Sequence, residues 1–253
     1  MVTDTLKKML ASGRTVYGPF ADLVSADVVE MFGLAGFDFT VIDCEHSTCD
    51  PHRAVDMVRA ASVHGMPAMV RVPNALPSTI LKYLDIGSAG IMVPLVHTPE
   101  LAKQVAEASR YFPRGKRGYA GARSGSFGYI SVADHIKQCN ENTFVQVQAE
   151  SVEAINNIKE IVAVDGIDSV FIGTFDLSQS LGKPGQVNDP KEVECIETAV
   201  KAIRDAGKIA GIFAGTIENA RKYEAMGFQF IVYSGDLGML TEATRSAVKA
   251  LKG

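Results

Sequence analysis

The sequence predicts a (β/α)8 barrel, a closed ring of eight parallel strands wrapped in helices, on three observations. Eight short apolar, β-branched runs recur along the 253 residues, each is followed by a segment of helical spacing, and polar residues gather where the runs end. The length suits one barrel domain over 1–253, since barrels of this size stay undivided.

In chain order the strand runs are 15–20, 37–43, 66–72, 90–96, 143–150, 168–173, 209–214 and 228–234. The intervening helical stretches are 25–35, 51–64, 77–87, 99–110, 151–162, 190–206, 216–226 and 237–251, with a further helix at about 130–140. Gly65, Gly207 and Gly227 stand where a helix ends in a left-handed residue. Strict alternation means parallel pairing, and runs that are apolar throughout mean burial on both faces, so the sheet lies inside the helices as in a TIM barrel. A doubly wound open sheet is the competing arrangement. The first strand–helix turn lacks its glycine-rich fingerprint, because Gly33 and Gly36 fall within and at the end of a helix. Two connections are long: 112–129 leaves a helix end, on the face opposite the strand tips, and 176–189 leaves a strand tip.

Composition narrows the function. A net charge of −4, with PRGKR at 113–117 as the densest basic cluster, offers nucleic acid little attraction. The first residues lack the apolar core of a secretory signal, and no stretch approaches the roughly 20 apolar residues of a membrane span, so a cytoplasmic place with no membrane partner is expected. Four scattered cysteines predict reduced thiols rather than a disulfide scaffold. Cys44, His46 and Cys49 have the look of a zinc knuckle but lack a second spaced pair to close the shell.

The chemistry lies at the strand ends. Strand two runs into Asp43, Glu45 and His46, strand three into Arg71, strand four toward His97, and strand five into Gln148 and Glu150. Asp176 follows strand six, while Ser234 and Asp236 follow strand eight. Each has an ordinary explanation alone. Glu150 or Asp176 could cap a helix, Arg71 could pair with Asp43 or Glu150, and His46 could bond its own loop; together they crowd one face. Glu150 and Asp176 are hard oxygen ligands with no Cys or His between them, which favours Mg2+ or Mn2+ and leaves coordination open to a bidentate 2-oxo acid. Arg71 suits a carboxylate or developing oxyanion. Histidine is the side chain best suited to general acid or base work near neutral pH, which makes His46 the candidate, with Asp43 its nearest carboxylate in sequence; His97 is a weaker rival, and His52 and His64 read as surface or packing residues. No lysine stands on the C-terminal half of a strand, so Schiff-base chemistry is disfavoured.

The segments IDCEHS, MVRVP, YLDIGSAGIMVPLV, RYFPRGKRGYAGAR, QAES and GIDSVFIGTFDLSQSLG together resemble, in order and spacing, the HpcH/HpaI aldolases, over about residues 15–245. That resemblance implies a barrel of the phosphoenolpyruvate/pyruvate type and a class II aldolase. Such an enzyme reversibly cleaves a 4-hydroxy-2-oxo acid, for example a 2-keto-3-deoxy sugar acid or 4-hydroxy-2-oxoheptanedioate, to pyruvate and an aldehyde. It implies Glu150 and Asp176 as ligands of a divalent metal (Mg2+, Mn2+ or Co2+), His46 as acid/base with Asp85 raising its basicity, and Asp43 beside it. Arg71 would stabilise the transition state, and Gln148, Asp176 and the Phe175 backbone would contact pyruvate. It also implies a homohexamer in which residues 237–251 pack on a neighbouring barrel. Departures from the family pattern are Cys44 where glycine is common, Ala149 where a larger aliphatic is frequent, and Thr174-Phe175 where Pro-Ala is usual. The alternatives are a malyl- or citramalyl-CoA lyase, with Arg114, Lys116, Arg117 and Arg123 as its basic residues, and a non-catalytic metabolite-binding barrel.

Overall fold

A computed structural model describes residues 6–253. Eight parallel strands close in sequence order: β1 (Val16–Ala21), β2 (Thr40–Asp43), β3 (Ala68–Arg71), β4 (Gly90–Val93), β5 (Phe144–Ala149), β6 (Ser169–Ile172), β7 (Ile209–Ala214) and β8 (Phe230–Gly235), with β8 returning to β1. Several strands begin two or more residues later than the apolar runs suggest, because only these residues enter the ladder between neighbours.

Helix α1 (Leu6–Ala11) precedes β1, and α2 (Ala26–Ala35), α3 (Pro51–Val63), α4 (Pro77–Asp85) and α5 (Pro99–Ser109) follow the first four strands. A 3-10 turn (Arg123–Gly128) and α6 (Val132–Asn142) occupy the link to β5. After β5 come α7 (Val152–Asn156) and α8 (Ile158–Val162), and after β6 come α9 (Thr174–Ser180) and α10 (Pro190–Asp205). The last two strands are followed by α11 (Ile217–Met226) and α12 (Asp236–Lys252). Two expectations need correction. The single helix at 151–162 is broken at Asn157, whose side chain donates 2.9 Å to the His97 carbonyl, and the supposed loop from 176 opens within α9. Ser25, Asp50, Thr98, Ser131, Ser151 and Thr216 cap helix starts, each accepting an amide of the first turn. Gly65, Gly207 and Gly227 have positive φ as expected.

Alternation along each strand decides what faces inward. Val16, Phe20, Phe39, Val41, Met69, Met92, Phe144, Phe171, Phe230 and Val232 form the cluster inside the barrel, with Leu6 and Leu10 of α1 packed onto it. Their neighbours Ile42, Val70, Ile91, Val93, Val145, Val147, Val170, Ile172 and Ile231 pack with the helices in a second cluster. Two residues beyond each inner apolar side chain the same face continues, so Asp43 follows Val41 and Arg71 follows Met69. Asp43 and Arg71 are also register partners across β2 and β3.

The PRGKR stretch lies at the far end of the barrel, and its charges are engaged within the chain. Arg114 donates to the Asn140 carbonyl, Lys116 pairs with Glu107, and Arg117 pairs with Asp85. Among the described residues no helix is long and apolar enough to cross a membrane.

Two consequences for stability are measurable. Phe230 is fully buried and stacks on Phe39 at 4.1 Å, so Phe230→Ala costs about 3–5 kcal/mol in chemical denaturation. Glu192, in the first turn of α10, is buried with both carboxylate oxygens unpartnered among the described residues. Burial, with Asp189 adding to it, pushes its carboxyl up to about 7. A raised folded-state value stabilises below the unfolded value, and that contribution is lost as pH climbs through about 7. Glu192→Gln therefore melts like the parent near pH 4, below the unfolded carboxyl's ordinary value, and is more stable by roughly 1–3 kcal/mol at pH 8, read from paired melting curves.

Candidate active site

Inward positions at the strand ends put Asp43, Arg71, Gln148 and Glu150 at one mouth, joined by Asp22 after β1, the loop after β2 and the first turn of α9. Asp43 is buried and grips Arg71 with both oxygens, Nε to Oδ1 and Nη2 to Oδ2, each at 2.8 Å. Burial alone would raise the Asp43 carboxyl; the Arg71 hydrogen bonds and charge, with the amides of Glu45 and His46, hold it below the usual value. Arg71 is also stacked over Phe20, 4.4 Å from the ring centre.

The same carboxylate organises the following loop. It accepts the Glu45 amide at 3.0 Å and the His46 amide at 3.3 Å, while the Asp43 carbonyl accepts the Ser47 hydroxyl. The His46 side chain is left 63 % exposed, with Nε2 3.6 Å from Glu45 Oε2. Glu45, not Asp43, is thus the carboxylate facing the imidazole, and Glu45 is itself raised by burial, with Asp43 and Asp176 adding to the effect.

Glu150 is 4 % exposed at the end of β5. Its Oε1 accepts the Leu95 amide at 2.7 Å and its Oε2 accepts Gln148 Nε2 at 2.8 Å. Leu95 reaches it from left-handed backbone, φ 57°, a conformation that costs a branched residue energy and recurs at functional sites. Gly173 is required opposite, because a Cβ there would collide with Glu150 Oε2. Burial pushes the Glu150 carboxyl up to about 7, with Asp176 and Glu45 reinforcing the rise against the Leu95 bond and Arg71. Gln148 Oε1 remains buried without a partner among the described residues. Asp176 is exposed in the first turn of α9, close enough for its charge to act on both Glu150 and Glu45.

Asp22 and the Leu95 amide are the members that sequence reasoning missed. Burial, then the charges of Asp236 and Asp43, raise Asp22 to about 6, and Asp236 accepts the Asp22 and Leu23 amides at 3.0 Å. Position after a strand end was a signal for Asp22, whereas a backbone N–H leaves none.

Asp85 requires a correction within one chain. Helix α4 descends from the mouth, so its last residue lies at the opposite end, where Asp85 accepts from Arg117 at 2.7 Å. It is not brought to His46. Loop 112–129 is likewise held at that far end, with Arg123 donating to the Ile86 carbonyl at 3.2 Å, so within the chain it does not shape the mouth. His97 caps structure instead, its Nδ1 2.9 Å from the Ser151 hydroxyl. His52 is exposed on α3, and His64 lies 3.6 Å from Glu30. Phe175 is exposed, its ring 6.3 Å from that of Phe213.

A family model described as HpcH/HpaI aldolase/citrate lyase matches residues 17–243. The hydroxypyruvate/pyruvate aldolase of Deinococcus radiodurans is 36 % identical over 251 residues, covering 99 % of this chain and 91 % of that protein. The 4-hydroxy-2-oxovalerate aldolase of Rhodococcus jostii is 38 % identical over 242 residues, covering 95 % and 93 %. The crystal structure of an HpcH/HpaI aldolase from Desulfitobacterium hafniense superposes with a TM-score of 0.94 at 32 % identity, covering 98 % of this chain and 96 % of that one. With sequence motifs, barrel and relatives in agreement over nearly the full length, this chain belongs to the HpcH/HpaI aldolase/citrate lyase family.

Proposed function

We propose that this barrel is a carbon–carbon lyase that reversibly cleaves a 4-hydroxy-2-oxo acid, such as a 2-keto-3-deoxy sugar acid or 4-hydroxy-2-oxoheptanedioate, to pyruvate and an aldehyde. The supporting observation is Glu150, a buried carboxylate raised to about 7 beside Asp176 and Glu45, where the neighbouring guanidinium of Arg71 is already engaged by Asp43 and Glu45. The relatives named as aldolases supply the reaction class.

The donor set fits a divalent cation. Glu150 and Asp176 bring two hard carboxylates to one mouth. Among the described residues no three or more His, Cys, Asp or Glu side chains gather as a metal-holding group, so most of the shell is left to substrate and water. Glu150 and Asp176 would hold Mg2+ or Mn2+, or else Co2+, which would supply Lewis acidity toward the keto oxygen of a 2-oxo acid. The remaining work belongs to the chain. Arg71 commits Nε and Nη2 to Asp43, which aims the guanidinium and leaves Nη1 for the substrate carboxylate or developing oxyanion. Gln148 and the first-turn amide of Phe175, which helix geometry leaves without an intrahelical acceptor, bind pyruvate oxygens. His46 takes the C4 hydroxyl proton as the C3–C4 bond breaks, oriented by Glu45 within the chain.

The chain works as one barrel unit in an assembly of copies. Helix α12 buries only Asp236 and exposes Leu237, Leu240, Val248 and Leu251, an apolar face suited to a second copy and in keeping with a hexamer. A CoA-thioester lyase is less well supported, because Arg114, Lys116, Arg117 and Arg123 are engaged at the far end of the barrel.

Chelation that lowers the metal content abolishes cleavage, and Mg2+, Mn2+ or Co2+ restores it; cleavage that persists as bound metal falls refutes the reading. Glu150→Gln keeps side-chain volume, loses the charge, and stops pyruvate C3 proton exchange measured by NMR without aldehyde, a reaction that an inert binding barrel does not catalyse. His46→Ala lowers kcat for cleavage by about 10²–10⁴-fold, and Glu45→Gln lowers it by less.

A further inference from the structure

The mouth divides into two halves. The tips of β2, β3 and β5 carry its charged and hydrogen-bonding groups, whereas the side that runs from α9 through β7 to β1 is aromatic. Phe213 shares the inward face of β7 with Ile209, and Phe20 is inward at the end of β1; both pack with the cluster inside the barrel. Phe20 lies under the Arg71 guanidinium, 4.4 Å from its carbon to the ring centre. The Phe213 ring follows, 6.1 Å from that of Phe20, and the Phe175 ring stands 6.3 Å beyond it, both pairs tilted. Exposure climbs along this row, from 7 % at Phe20, through a half-buried Phe213, to 60 % at Phe175. Strand β8, between β7 and β1, ends in Gly235, where a Cβ would come within 2.7 Å of Asp22 Oδ2 and 3.3 Å of the Phe20 Cβ. The tip of β8 therefore puts no side chain at that position.

We propose that Phe20, Phe213 and Phe175 wall the aldehyde subsite, and that the preferred aldehyde is neutral and carries an apolar tail, aryl above alkyl. The assignment deepens the lyase reading above and rests on it. Arg71, Gln148, Glu150 and the Phe175 amide are taken up by the pyruvate half of the substrate, and the proton-transfer group stands on the loop after β2. The aromatic side is the part of the mouth left for the rest of the substrate. A tail laid along it removes apolar carbon from water on both partners, and a ring in that tail can stack offset or edge-on against Phe213 and Phe175.

Charge selects in the same direction. Asp22 stands two residues beyond Phe20, and Asp236 accepts its amide at 3.0 Å, so the aromatic side is bordered by carboxylates. The nearby cations are committed: Arg71 bonds Asp43 twice and lies 3.5 Å from Glu45, and Lys183, in the loop after α9, pairs with Asp189. A carboxylate at the end of the aldehyde would give up water beside like charge. Within the class proposed above, 4-hydroxy-2-oxoheptanedioate, whose aldehyde half ends in a carboxylate, thus ranks below substrates with a neutral tail.

Butanal, 3-phenylpropanal and succinic semialdehyde share a CH2CH2CHO end and differ in its terminal group: methyl, phenyl or carboxylate. Each is condensed with pyruvate by the full-length protein supplied with Mg2+ or Mn2+ at pH 8, and kcat/KM is read from the hydroxy-oxo acid formed. The expected order places 3-phenylpropanal above butanal by about fivefold, and butanal above succinic semialdehyde by about tenfold. Phe213→Leu and Phe175→Leu each lower the phenyl-to-methyl ratio by about two- to fivefold, and Asp22→Asn lowers the methyl-to-carboxylate ratio. A general loss of activity cancels in these ratios, so they separate a subsite wall from rings that only pack. A second measurement needs no variant. 2-Oxo-6-phenylhexanoate lacks the C4 hydroxyl and cannot be cleaved, and it inhibits pyruvate C3 exchange about tenfold more tightly than 2-oxoheptanedioate does. Succinic semialdehyde used as well as butanal, a phenyl tail that brings no gain, equal inhibition by the two oxo acids, or ratios unmoved in both folded ring variants each overturn the proposal. A chain that exchanges the C3 protons of pyruvate but condenses with none of the three aldehydes overturns the subsite alone. A chain that neither exchanges nor condenses overturns the lyase reading, and the subsite with it.

Discussion

Glu150 is a carboxylate withdrawn from water in a mouth that holds more negative than positive charge, and the surrounding structure is arranged around that cost. Asp22, Asp43, Glu45 and Asp176 share the opening with Arg71 as the facing cation, and Arg71 is claimed by Asp43 through two hydrogen bonds. What holds Glu150 in place is neutral: the Leu95 amide, delivered from left-handed backbone, and the Gln148 side chain. Neutral donors fix a carboxylate's orientation without cancelling its charge. A buried carboxylate so held is poised for a cation from outside the chain.

Asp43 is the second organising group. One side chain aims Arg71 across the barrel interior and nucleates the loop that presents Glu45 and His46. The guanidinium of Arg71 and the loop that carries His46, the proposed anion-binding and proton-transferring parts of the mouth, therefore share a single anchor. The imidazole stays exposed, which suits the proposed base, because a substrate entering from solvent can reach it.

Much of this was legible in order of residues. Strand periodicity places Val41 and Asp43 on one face, and likewise Met69 and Arg71, so the inward direction of the polar ends follows from the alternation of apolar ones. Helix ends were legible at Gly65, Gly207 and Gly227, because a left-handed glycine stops a helix locally. The break at Asn157 was not, since its cause is a hydrogen bond to the carbonyl of His97, sixty residues earlier.

By itself the sequence determined the eight-fold alternation, the parallel closed sheet it demands, and the end at which Asp43, His46, Arg71, Gln148, Glu150 and Asp176 collect, because hydrophobic period and capping are local properties of the chain. Only the tertiary structure decided which carboxylate faces which cation. It gave Arg71 to Asp43, set Glu45 between Arg71 and His46, left Asp85 with Arg117 at the far end, and brought Asp22 and the Leu95 amide to the mouth. Pairings of that kind depend on distances of a few ångströms between segments far apart in the chain, and on how each burial changes the cost of a charge, neither of which is written in residue order.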